Sequence, residues 1–163
     1  MVDWPNLRFA VGSFDTWPQL RTAIRDLERR GLVLDGFNCL ARRRAFAGET
    51  IITSSQEPVT IQDLTFPDNR ELLACTSGPL ADCLADRLRS GAGSLKDALA
   101  LWLVPRHAAH FEDAVEAGKI LKWIRVADAD DERRACQALL ATTSNSVGVH
   151  DLMAPSGSGR EGL

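Results

Sequence analysis

Tyrosine is absent, and 163 residues hold only 4 tryptophans and 6 phenylalanines. Single-stranded nucleic acid is gripped by stacked aromatic rings, so no such platform is expected. A basic excess is also missing: 19 Lys and Arg stand against 22 Asp and Glu, for a net charge of -3. Nucleic-acid surfaces need a positive surplus, so no nucleic-acid partner is expected. No apolar run reaches the roughly 18 residues of a membrane-spanning helix, so no membrane partner is expected either. The start, MVDWPNLRFAVGSF, has no basic segment followed by a long apolar one, so no secretory signal is read and the expected localisation is cytoplasmic. The four cysteines, Cys39, Cys75, Cys83 and Cys136, form no C-x-x-C pair. In a reducing compartment they are expected to be small core residues. No glycine-rich phosphate fingerprint occurs, and no cofactor is expected.

What is present has the profile of one folded domain. Hydrophobic residues make up 45% and charged residues 25%, and the length suffices for a real core. Two strand-helix-strand units frame the chain. In the first, Leu7 to Phe14 alternates with the period of a half-buried strand. Thr16 and Gln19 then have the spacing of a capping box, with Pro18 in the first turn. Leu20, Ala23, Ile24 and Leu27 make one apolar stripe, and Gly31 supplies a stop. Leu32 to Phe46 reads as the second strand, with Val33, Phe37, Cys39 and Ala41 inward. Arg42, Arg43 and Arg44 close it as a charged, solvated edge; the alternative is a patch for an anionic ligand or partner.

The second unit runs from Gly118 to Leu152. Ile120 to Val126 is the clearest strand, with Lys122 and Arg125 taken as charges near its ends. Asp128 or Asp130 caps the next helix, whose core side is Ala135, Cys136, Leu139 and Leu140. Ser146 to Asp151 reads as the last strand, and residues 154–163 as a disordered tail. Between the units, Thr50 to Thr76 is the least regular stretch. Residues 50–53 and 59–61 have the composition of a small hairpin, and Leu72 to Cys75 fits a strand or a helix lead-in. Ser77, Ser94 and Pro105 then open three amphipathic helices. Leu80, Cys83, Leu84 and Leu88 line the first, Leu95, Ala98, Leu99 and Trp102 the second, and Ala108, Phe111 and Val115 the third.

Two β-α-β units predict an α+β, ferredoxin-like sheet over residues 1–153, with a helical insertion at 77–117. Right-handed crossovers put both long helices on one face. The opposite face then needs cover from the insertion or from a second subunit, so a homodimer through that face is expected.

The plan resembles bacterial general-stress proteins of the heat-induced stress protein family and related domains of unknown function. The segments that carry the resemblance are FAVGSFDTWPQLRTAIRDL, SGPLADCL and HFEDAVEAGKILKWIRV. The resemblance spans most of the chain except about Glu49 to Thr76 and the tail. It implies a stress-linked role, and it brings no catalytic residue with it. The middle of such relatives is often glycine-rich and strongly apolar, whereas here it is amphipathic.

Candidate sites are few. His107 and His110 lie three apart on one helix, with His150 as a third histidine, a set that a metal ion could bridge. Their plainer reading is as surface histidines. Cys75 and Cys83 are candidate nucleophiles against a reading as core packing. Asp130, Asp131 and Glu132 suit a divalent ion, or simply a helix N-terminus. Ser77 to Leu80 offers helix N-terminal amides to an anion. The four tryptophans are read as core or dimer interface. Without an acid-base or nucleophile constellation, the expected function is a non-catalytic, stress-linked binding or accessory domain with a small-molecule or protein ligand. The alternative is a metal-dependent enzyme or small-molecule binder using the sheet face or the cleft under the insertion.

Overall fold

The computed structural model describes residues 6–32, 37–47, 59–142 and 147–153. It is an α+β fold around one open antiparallel sheet. The strands are β1 (Asn6–Phe14), β2 (Cys39–Arg42), β3 (Ile61–Leu64), β4 (Leu73–Thr76), β5 (Ile120–Arg125) and β6 (Gly148–Met153). Their spatial order is β3-β4-β2-β5-β1-β6. The helices are α1 (Trp17–Arg29), α2 (Pro79–Arg89), α3 (Leu95–Leu99), α4 (Pro105–Glu116) and α5 (Ala129–Thr142).

Period-two alternation sorts the strand residues between two cores. Leu7, Phe9 and Val11 of β1 join Leu121 and Trp123 of β5 on the face packed by α2, α3 and α4. Ala10 and Phe14 join Ile120 and Ile124 on the opposite face, packed by α1 and α5. Helix starts follow local chemistry. Thr16 Oγ1 accepts from the Gln19 amide and the Gln19 side chain accepts from the Thr16 amide, so the capping box is complete. Ser94 caps α3 through the Asp97 amide, and Asp128 Oδ1 accepts from the Asp131 amide at 2.8 Å. Gly31 and Gly118 follow α1 and α4 with φ of 86° and 95°, the left-handed stops read from the sequence.

Several expectations are corrected. Of the two covers expected for the second sheet face, the insertion is the one present: α2, α3 and α4 fill it with the chain's own side chains, so a homodimer through that face finds no open surface among the described residues. β2 is not an edge strand. It lies between β4 and β5, because residues 61–76 contribute two more strands to that side of the sheet. It is also short, since Arg43–Phe46 turns into a 3-10 helix. Ser77 does not cap α2. Gly78 holds that position, and the Leu80 amide donates to Asn38 Oδ1 at 3.2 Å. Trp102 falls in the turn after α3 rather than on its stripe, and Leu140 is 62% exposed because the buried stripe of α5 runs through Ala135, Ala138 and Leu139. Lys122 is not near a strand end but mid-strand and 1% exposed. The expectations for Val33, for residues 50–53 and for the tail at 154–163 fall outside the described residues.

Candidate functional site

The fold brings chemistry-bearing side chains together where side chains of α4 meet β6. His150 pairs with Phe9 in the β1–β6 register, and its ring shares the α4 side of the sheet. His107, in the first turn of α4, meets it with ring centroids 5.2 Å apart at 62°. The Phe111 ring, one helical turn further, stands edge-on to His150 at 5.3 Å and also lies 5.2 Å from Trp123. The imidazole pair is thus the outer end of an aromatic row that begins in the core. Both histidines are half-buried. Among the described residues, neither imidazole has a hydrogen-bond partner for its ring nitrogens. Burial, then the neighbouring His107, push the His150 pKa below its ordinary 6.5, while Asp151 opposes that shift.

His110, the third histidine read from the sequence, is not brought to this pair. It is exposed, with its ring against Phe111 at 5.6 Å. Among the described residues, no group of three His, Cys, Asp or Glu side chains is gathered closely enough to hold a metal ion. On the other side of β6, Arg8 bonds Glu132 at 2.8 Å and Asp151 at 3.1 Å.

The remaining candidates are spent on structure. Asp130 pairs with Arg133 and Arg134, Asp131 with Arg134, and Glu132 with Arg8. Arg42 and Arg44 both reach Glu71, and Arg43 meets Asp63 at 2.9 Å, so acids on neighbouring segments offset the basic run. A depression of 630 Å³ beside them is lined by Arg43, Arg44, Ala47, Glu71 and Leu72. Asp15 forms an ion pair with Lys119 at 2.5 Å, and the Trp17 indole donates to the Ala45 carbonyl at 2.8 Å. All four cysteines are free. Burial raises the Cys39 thiol to about 11 and the Cys83 thiol to about 12, and lifts Cys75 well above its usual value. These thiols stay protonated at neutral pH, which removes the nucleophilic form.

One chemically unusual group escaped sequence reasoning. Lys122 is buried on the α1–α5 face, opposite Cys39 in the β2–β5 register. Its ammonium donates to the Phe37 carbonyl and lies 4.0 Å from the centre of the Phe37 ring. Desolvation lowers its pKa from 10.5. The available signal was parity: Lys122 stands between Ile120 and Ile124 in a strand with two buried faces.

Besides Leu140, two apolar spots are exposed among the described residues. Leu101 is 61% and Val104 51% exposed in the turn between α3 and α4, on either side of half-buried Trp102. Among the described residues, the Trp102 indole nitrogen is buried without a hydrogen-bond partner. Leu72 at the end of the Arg42–Arg44 depression is 42% exposed. No family model, no curated protein and no solved structure matches this chain.

Proposed function

We propose that the chain is a small cytoplasmic accessory domain, linked to stress, that works by protein contact rather than catalysis and is built on a ferredoxin-like core. For the core, support comes from the order β6-β1-β5-β2, every neighbour antiparallel, with α1 and α5 on one face. That is the arrangement two split β-α-β units produce. Four unpaired thiols suit a reducing compartment. The stress link draws on the resemblance of the three sequence segments quoted above.

The observation that carries the contact reading is the apolar knuckle Leu101–Trp102–Leu103–Val104. It exposes apolar Leu101 and Val104 around half-buried Trp102, and tryptophan is a residue type that anchors protein interfaces. The homodimer belongs to this proposal, but through the knuckle, since the sheet face is filled. The test is native mass spectrometry of untagged protein at micromolar concentration. A dimer that Leu101→Asp with Val104→Asp converts to monomer supports the proposal. A wild-type monomer overturns the dimer, and a small molecule retained by wild-type protein overturns the contact reading. For the stress link, the protein's abundance should rise after heat shock, and a constant level overturns it.

The second reading, a metal-dependent enzyme or small-molecule binder, is favoured by one observation, the apposition of His107 and His150. The space under the insertion is occupied by Phe111, Trp123 and the leucines of α2 and α3.

A further inference from the structure

We propose that the place where side chains of α4 and β6 meet binds one borderline divalent cation, of the zinc, nickel or copper(II) class, between the imidazoles of His107 and His150, with water completing its shell. Three observations converge on it. The first is spacing. With nitrogen–zinc bonds of about 2.0–2.1 Å, two imidazoles on a tetrahedral ion stand with ring centroids about 5 Å apart. The two rings stand 5.2 Å apart. They come from different elements, so the distance is set by tertiary packing and not by helix periodicity.

The second is the uncommitted state of the ligating atoms. An imidazole nitrogen that makes no hydrogen bond to protein is free to act as a metal ligand. Among the described residues, His107 and His150 have none. The third is space at the ligating end. A Cβ placed on Gly148 would lie 3.0 Å from His150 Nε2, so the missing side chain is what leaves that nitrogen open. The surroundings agree. Neutral imidazole is the form that binds metal. The charged groups nearest β6, Arg8 and Asp151, are bonded to each other. Two protein ligands and open water positions make this a labile site, unlike a four-ligand structural zinc site.

This inference goes beyond the accessory-domain proposal and does not rest on it. A metal-free dimer would leave that proposal standing, and zinc binding by a monomer would leave this one standing. The test uses untagged, chelator-stripped protein, with zinc chloride as the probe. Calorimetry should give one ion per chain, and thermal unfolding should shift upward with zinc. His107→Gln and His150→Phe, which keep ring-sized or polar bulk in place, should each weaken binding by about tenfold or more. His110→Gln should leave it unchanged. Gly148→Ala should weaken it while both imidazoles remain. Lowering the pH to about 5 should abolish it as protons take the nitrogens. No zinc-dependent shift overturns the proposal. So does a shift that survives in both His107→Gln and His150→Phe, or one that His110→Gln removes.

Discussion

The two faces of the sheet solve the same packing problem with different materials, and adjacent residues of β5 mark the contrast. Trp123 enters the face under α2, α3 and α4 and meets Phe9 and Phe111 edge-on or tilted. Lys122 enters the face under α1 and α5 with an ammonium group and finds a backbone carbonyl and an aromatic ring. The first face is stabilised by large apolar area and aromatic geometry. The second accepts a costly polar burial, tolerated because a carbonyl and a ring quadrupole receive the cation. Helix length follows the difference. α1 and α5, with 13 and 14 residues, cover one face as two helices, while the other layer is assembled from three, of 11, 5 and 12 residues. Two of those pieces, α3 and α4, are tied by a side chain: Asn69 accepts from the Leu95 amide and donates to Glu112 and Glu116.

The largest effect expected from this contrast is at Trp123. Trp123→Ala should cost about 3–5 kcal/mol in urea unfolding, through the cavity left between Phe9 and Phe111. A loss under about 1 kcal/mol would mean the aromatic row is not what holds that layer. Lys122 should show itself through pH. Its pKa is lowered in the fold, so as pH falls below 10.5 the unfolded chain takes the proton first and stability drops until the folded pKa is reached. Between the lowered Lys122 pKa and about pH 9, where the buried thiols begin to titrate in the unfolded chain, Lys122 should make stability rise with pH, by at most about 1.4 kcal/mol per unit. Lys122→Met should lack that slope, and parallel pH profiles of the two proteins would refute the assignment.

A smaller effect, about 1 kcal/mol, is expected for Thr16→Ala, which removes the cap of α1. Equal destabilisation with and without the Gln19 side chain would show that the reciprocal half of the box contributes nothing. The smallest is at His150. Its lowered pKa means stability is intact above 6.5 and declines as pH falls through 6.5 towards the folded pKa. His150→Phe should flatten that decline in acid denaturation profiles without zinc. An unchanged decline would assign it to other groups.

Local signals were legible where one residue type has one job. The Thr16–Gln19 box, the Ser94 cap, Pro105 at the start of α4 and the glycine stops all stood in the sequence as they stand in the fold. Leu73–Thr76 was ambiguous because four residues cannot distinguish a buried strand from a helix segment by period. The Arg42–Arg44 run was misread as an edge because the acids that offset it, Asp63 and Glu71, lie 20 or more residues away. The candidate metal set was half legible. Helical spacing grouped His107 with His110, but the neighbour His107 meets is His150, from a strand at the far end of the chain.

The sequence by itself determined the elements at both ends, the α+β class and the burial of most thiols, because period, caps and composition act over a few residues. Tertiary structure alone decided which strands are interior, which helices close the second face, that Lys122 is buried and that two imidazoles meet. Those outcomes depend on strand order and on contacts between residues dozens of positions apart, and no local pattern encodes them.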